Sequence, residues 1–239
     1  MKRDVAVIPL GNDEEIIIAS DNSGGIGMKQ LDKVPVAYET VSYYSFRVAF
    51  MECVAVGALP FSVVIQNFNG DRAWSTLVAG VEQGMKEIGI DDLSITGSTE
   101  TNMTLMQSAV GITVLGKRKK KQELIPSYTN TVNVAIIGKP LVGTEVINQN
   151  EAIAPLNLFQ WCCVQESVLV VLPVGSKGIL HELKELFAYQ SLRFASGLDM
   201  KKSSGPSTCF IIVYLQTVDK EVQQKAGKWF HAVNIENYC

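Results

Sequence analysis

Four acids and two glycine-rich turns hold the chemistry this sequence can do. Ser20-Asp21-Asn22-Ser23-Gly24-Gly25-Ile26-Gly27 sets a carboxylate and an amide ahead of three glycines in four positions. Glycine permits positive-φ turns in which successive backbone N–H groups converge, and it lets a ligand approach the main chain. With Asp21 at the end of the apolar run Ile16-Ile17-Ile18-Ala19, the stretch suits a magnesium-bound polyphosphate. A tight turn with an Asx cap fits the same residues. Glu52 lies in Val48-Ala49-Phe50-Met51-Glu52-Cys53-Val54-Ala55-Val56, helical and apolar nearly all round. A carboxylate there must be paired, protonated or metal-bound. Arg47, five residues earlier, is about 140° around a helix and is not the natural same-face partner. Asp13 flanks the same strand as Asp21. Asp71 reads as a helix N-cap or, with Asn67 and Asn69, as a group able to reach a metal. Magnesium takes hard oxygen ligands, usually a few carboxylates completed by phosphates and water, and these residues provide them.

Several common nucleotide motifs are absent. Gly175-Ser176-Lys177-Gly178 lacks the leading glycine of GxxxxGK[ST]. Gly25-Ile26-Gly27 is followed by Gln30 where the dinucleotide fingerprint needs glycine, and the protein-kinase HRD and DFG sets are missing.

The elements that must position these residues alternate strand and helix. Val5–Ile8 and Ile16–Ala19 read as strands around the turn Gly11-Asn12-Asp13-Glu14, and Glu39–Leu59 as a helix stopped by Pro60. Ser62–Gln66 is a strand. A helix capped by Asp71 follows, its apolar face formed by Ala73, Leu77, Val81, Met85 and Ile88. Leu93–Thr96 and Val110–Leu115 are strands. Lys117-Arg118-Lys119-Lys120-Lys121 reads as a solvated turn or linker, because five consecutive cations cannot pack. Domains are therefore expected at 1–118 and 119–239. The second restarts with the strand Val132–Ile137, then Leu169–Leu172. A helix with Ile179, Leu183, Leu186, Phe187 and Gln190 on one face follows, then the strand Cys209–Leu215. A last helix carries Val222, Ala226, Trp229, Phe230 and Val233. The fold class is α+β, in two α/β halves.

Composition bounds the function. The chain has 239 residues and is 47% hydrophobic, enough for a substantial core. A net charge of −3 gives no electrostatic reason to expect nucleic acid or an anionic membrane. No apolar run approaches the ~20 residues of a membrane helix, and the N-terminus lacks a signal-peptide h-region. The five cysteines have no CxxC spacing. They read as reduced core thiols of a cytoplasmic protein, and with only His181 and His231 a zinc site is not expected.

Gly11-Asn12-Asp13, Ser20-Asp21, Glu52 ahead of Gly57-Ala58-Leu59-Pro60, and Thr96-Gly97-Ser98-Thr99 resemble the motifs of the aminoimidazole-ribonucleotide-synthetase-like (PurM-like) superfamily. In its thiamine-monophosphate kinases the pattern is G-D-D, an Asp at a strand end, D-x-x-x-x-G-A-x-P and G-G-D-T. Here Asn12 replaces one acid, Glu52 an Asp, and Ser98 the Asp of G-G-D-T, which argues against that activity. Longer strings resemble the α-ribazole kinase branch: Ala19–Gly27, Asn67-Phe68-Asn69-Gly70-Asp71, Ile95-Thr96-Gly97-Ser98-Thr99-Glu100 and Leu172–Ile179. The resemblance implies two PurM-like α/β domains, with the first binding ATP and Mg2+. It also implies a homodimer formed through first-domain strands and transfer of the γ-phosphoryl group to the 5′-hydroxyl of α-ribazole. Asp13, Asp21, Glu52 and Asp71 are then the expected metal ligands, with Asp21, Glu52 and Asp71 serving catalysis. Asn22, Gly24, Gly25, Gly27, Gly97, Ser98, Thr99, Glu100 and Lys177 are the expected nucleotide contacts. Lys177 fits equally a solvated lysine at a helix entry.

Overall fold

Strand-forming runs outnumber helical ones in the first half, and there they assemble a single mixed sheet. The computed structural model describes residues 4–120, 129 and 131–237, which form two units, one within Arg3–Lys121 and one within Gln122–Cys239. The first unit runs β1 (Val5–Leu10), β2 (Glu14–Gly24), β3 (Ile26–Gly27), β4 (Val34–Pro35), α1 (Tyr38–Ala55), β5 (Leu59–Asn67), α2 (Trp74–Ile88), β6 (Ser94–Thr99) and β7 (Ala109–Lys119). Its five-stranded sheet has the order β1-β2-β7-β5-β6, with only β5 and β6 parallel. β3 and β4 form a small parallel pair in the connection from β2 to α1.

Alternation decides which face of the sheet is covered. Ile17, Ala19, Val63, Ile65, Val110, Ile112 and Val114 point toward the helices and are buried with Phe46, Ala49 and Phe50 of α1. The apolar face read for α2 packs as expected, with Ala73, Leu77, Val81, Met85 and Ile88 all buried. The two helices approach closely because α2 carries glycine at the contact. A Cβ on Gly80 would collide with the Glu39 carbonyl and the Ser42 hydroxyl, and one on Gly84 with the Phe46 ring. α1 ends before the expected position. Gly57 turns at φ +81°, and Leu59 and Pro60 open β5, since proline is tolerated at the start of a strand.

The basic run departs most from expectation. Lys117, Arg118 and Lys119 are the last residues of β7 rather than a solvated linker. The strand period turns Arg118 inward, where it is 8% exposed. There its Nε donates to Glu15 Oε2 at 2.7 Å and its Nη1 to the Val56 carbonyl at 2.7 Å, just beyond the end of α1. Lys117 turns outward and meets Glu14 at 2.8 Å. Lys121 lies outside the described residues.

The second unit runs β8 (Val132–Ile137), α3 (Thr144–Asn148), α4 (Leu156–Val164), β9 (Val168–Pro173), α5 (Ile179–Leu186), β10 (Leu192–Ala195), β11 (Phe210–Leu215), α6 (Asp219–Ala226), β12 (Phe230–Ala232) and β13 (Asn234–Asn237). β12-β8-β11-β9 form an antiparallel sheet, and β10 pairs with β13. Ile136, Leu172, Ile179, Leu183, Phe187 and Ile211 share its core. The last helix is shorter than its apolar pattern suggests. Gly227, at φ +51°, ends it after Ala226, and Phe230 enters a strand instead. Cys53, Cys162, Cys163 and Cys209 are free thiols. Burial pushes Cys53 and Cys162 up to about 12, so both stay protonated. Among the described residues no helix is long and apolar enough to cross a membrane.

Breaking the Glu15–Arg118 pair from one side leaves a buried carboxylate and an unmet helix-end carbonyl. Arg118→Met is expected to cost about 3–5 kcal/mol, and the double change Glu15→Leu with Arg118→Met to recover most of it. Urea unfolding of the three proteins checks this; equal losses in the single and double variants would assign the effect to packing alone.

Candidate functional site

Four strands meet at one end of the first unit's sheet. Gly24 of β2 stands opposite Ala109 of β7, while Asn67 of β5 lies between Val110 of β7 and Thr99 of β6. Asn67 is buried. Its Nδ2 donates to the Gly70 carbonyl at 2.9 Å and Thr99 Oγ1 at 3.1 Å, and its Oδ1 accepts from Asn69 N–H at 2.9 Å. The Asn69 side chain behaves like a peptide group. It accepts from Ala109 N–H at 3.1 Å and donates to the Ala109 carbonyl at 2.9 Å, continuing the β5–β7 pairing past the last strand residue.

The glycine loop is fixed from the same side. Gly25, at φ +69°, donates its N–H to the Ser108 carbonyl at 2.8 Å. Gly27 is needed for space, because a Cβ there would lie 2.5 Å from Ser108 Oγ and 2.8 Å from the Tyr38 ring. The Asp32 carboxylate accepts from the N–H and Oγ of Ser108, each at 2.7 Å, and from Lys29 N–H at 2.8 Å. Desolvation acts to raise its pKa, but these bonds outweigh it and hold the carboxyl below the usual range. The Lys29 ammonium donates to the carbonyls of Phe68 at 3.0 Å and Gln107 at 3.3 Å.

Asp21 is set within β2, three residues before this end, not at a strand terminus. β2 continues through Ser20-Asp21-Asn22-Ser23 because each of these residues has a partner on β7. Asp21 shares the inward face with Ile17 and Ala19 and is half-buried. Burial pushes its pKa up to about 6, against donation from the Ser45 hydroxyl and Asn22 N–H.

The remaining expected residues are spread out. Asp13 lies in the β1–β2 turn, and an extended run of eight residues puts it about 26 Å from Asp21. The structure does not bring these two together within one chain. Glu52 is seven residues beyond Ser45 on α1, about 10 Å along the helix axis, and half-buried. Asp71 is exposed and opens a 3-10 turn, Asp71–Ala73, ahead of α2; its side chain makes no capping bond. Asn22 and Gly24 are exposed on β2. Gly97 packs against the Ile65 carbonyl and the Trp74 ring, Ser98 is exposed, and Thr99 accepts from Asn67. Glu100 accepts from Met103 N–H at 3.0 Å and Asn102 N–H at 2.6 Å, which hold its carboxyl below the usual range. Lys177 belongs to the second unit and is exposed in the β9–α5 connection. Among the described residues no three His, Cys, Asp or Glu side chains stand close enough to hold a metal ion.

No protein-family model matches the sequence, and no curated protein does. Solved structures do match. One chain of the HypE–HypF complex is 13% identical with a TM-score of 0.65, covering 99% of this chain and 88% of that one. HypE from E. coli, a hydrogenase maturation protein, gives 10% and 0.62, over 90% and 78%. PurL from T. maritima complexed with ATP gives 12% and 0.63, over 98% of this chain and 42% of PurL. The fold is PurM-like. At these identities the likeness extends to the fold alone, and the chain spans less than half the length of PurL.

Several residues that shape the sheet end have no local signature in the sequence. Ser45 and Ser108 are single polar residues whose acidic partners, Asp21 and Asp32, lie 24 and 76 positions away, so local pattern carries no sign of the pairings. Asp4 is another. Val5 stands opposite Ala19, so one further step of the register sets Asp4 level with Ser20, on the sheet face opposite Asp21. The hairpin thus returns an acid to the Asp21 end, whereas Asp13 lies at its turn.

The Asp21 carboxyl gives a test of its environment. Its folded pKa is raised, so the stabilisation from protonation is complete below about pH 4 and is lost as pH rises through about 6. Asp21→Asn, with a chelator present, should therefore melt above wild type at pH 7, by at most about 3 kcal/mol, and converge with it below about pH 4. Melting temperatures across pH for both proteins check this; an unchanged pH slope in the variant would place the titration elsewhere.

Proposed function

We propose that this chain is an ATP-dependent enzyme that phosphorylates a small riboside, with the nucleotide at the Asp21 end of the first unit's sheet. The fold carries this reading: PurL chains of the same fold were crystallised with ATP, ADP and AMPPCP. The acceptor in this proposal is the 5′-hydroxyl of α-ribazole, giving α-ribazole 5′-phosphate. That choice rests on the strings Ala19–Gly27, Asn67–Asp71, Ile95–Glu100 and Leu172–Ile179.

Magnesium needs only one or two protein carboxylates when phosphates and water complete its shell. Asp21 fits such a sparse site: it is half-buried, oriented by Ser45, and destabilised as an anion until a cation arrives. Bound magnesium would neutralise charge on the phosphates during transfer. The chain's own contribution is placement. Ser45 and Asn22 N–H orient the Asp21 carboxylate, and the Ser108 bonds fix the glycine loop beside it. Asp13, Glu52 and Asp71 remain testable as ligands, and Lys177 as a nucleotide contact.

The proposal includes a homodimer. The sheet face away from the helices carries Ala6, Ile8, Ile16, Ile18, Val64 and Leu115, half-buried or exposed in the single chain. Burying this face against a second copy would remove the largest apolar area the sheet leaves open. The rival reading is a nucleotide-binding module without turnover.

Mg-ATP at ~100 times its dissociation constant is expected to stabilise the protein by about 2.7 kcal/mol. An ATP-dependent screen of ribosides should then yield ADP with α-ribazole, and Asp21→Asn should abolish turnover. A thermal shift without ADP formation on any riboside selects the binding module, and no shift at all overturns the nucleotide site. For the dimer, Ile18→Asp should convert a sedimenting dimer to monomer; wild type sedimenting as a monomer would remove that part of the proposal.

A further inference from the structure

Three connections distant in sequence are tied together at the sheet end before any ligand is present. The β2–α1 connection is bonded to residues 107 and 108 by Gly25 N–H on the Ser108 carbonyl, by both Ser108 donors on Asp32, and by Gln107 Nε2 on the Leu31 carbonyl at 2.8 Å. The β5–α2 connection joins through Lys29 on the Phe68 carbonyl and through Asn69 on Ala109. Most of these bonds end on main-chain atoms, so they fix the path of the chain as well as the side chains.

Asp32 is where the ties converge. Its carboxylate takes three donors, one from its own loop and two from Ser108. Charge-assisted bonds of this kind are about twice as strong as neutral ones. Ser108 is buried, and its hydroxyl is also within 3.1 Å of the Tyr38 hydroxyl at the start of α1. The Asp32 bonds thus hold the segment from Gly24 to Lys33 against the start of β7, and with it the glycines and the Lys29 ammonium.

We propose that Asp32 is a positioning residue that holds the glycine loop and Lys29 in the nucleotide-binding arrangement, so that this part of the site is built before ATP arrives. The inference rests on the nucleotide reading given above. Asn at position 32 keeps the shape but offers one acceptor oxygen to three donors and no charge. Glu keeps the charge and both acceptors on a longer stem.

The test combines hydrogen exchange on the ligand-free protein with Mg-ATP titration and steady-state kinetics. In Asp32→Asn the amides of Gly25, Lys29 and Ser108 should exchange faster while the core strands keep wild-type protection. The dissociation constant for Mg-ATP should rise about tenfold. KM for ATP should rise in step while kcat at saturating ATP stays near wild type, and Asp32→Glu should restore part of the affinity. Ser108→Ala, which removes one donor, should show the same effects more weakly and add little when combined with Asp32→Asn. Unchanged exchange at those amides overturns the clasp. Faster exchange with wild-type affinity overturns its role in binding, as does a loss of protection that extends through the core. Wild-type protein that ignores Mg-ATP removes the nucleotide reading and this role with it, and the wild-type titration alone identifies that case.

Discussion

The register between β2 and β7 is the constraint on which the first unit depends. Side chains alternate across a strand, so a slip of one residue would turn every inward group outward. Arg118 would leave Glu15, Asp21 would leave Ser45, and Ser20 would lose the Thr113 hydroxyl 2.8 Å away on the opposite face. The ladder pairs eleven residues without interruption. It therefore separates two polar districts by the full length of a strand: a buried ion pair at the Glu15 end, and amides, hydroxyls and the Asp21 and Asp32 carboxylates at the Gly24 end. The first closes α1 onto the sheet. The second leaves polar groups where a ligand can reach them.

Apolar period was legible in the sequence; polar residues with long-range partners were not. The α2 face, the core strands β8, β9 and β11 and the buried face of α5 all follow from spacing, because burial rewards the same period that propensity does. The sequence predicts that β2 ends at Ala19, because Ser20-Asp21-Asn22-Ser23 has loop composition, yet β7 supplies a partner to each. Arg118 departs from its expected solvation for a related reason. A run of cations has no local partner, and the acid that receives Arg118 stands 103 positions away. The last helix failed differently: the apolar spacing from Val222 to Val233 is real, but Gly227 switches the backbone midway and Phe230 reaches its neighbours from a strand.

The candidate site was legible in part. Asp21 and the glycine loop do occupy one end of the sheet, although Gly27 serves close packing on Ser108 and Tyr38 as well as any ligand. The four-acid metal group does not assemble within one chain, because Asp13 belongs to the hairpin turn and Glu52 lies two helical turns from Ser45. A site of one or two carboxylates leaves most of the charge balance to the ligand itself. Such a site gains its selectivity from shape, which makes rigidity of the surrounding connections matter more than the number of acids.

The peptide-like role of Asn69 has a consequence for the covalent lifetime of the protein. Asparagine followed by glycine is prone to cyclise, as the glycine nitrogen attacks the side-chain amide carbon and expels ammonia, leaving aspartate or its isomer. Asn69 is followed by Gly70. In the folded chain the Asn69 amide is held at both ends by Ala109, which limits the side-chain rotation that such an attack requires. The same two bonds that lengthen the ladder therefore shield the chain from chemical ageing at this point. Once Asn69 is converted, the new carboxylate has no N–H to offer the Ala109 carbonyl, so one of the two bonds that guarded the position is lost for good.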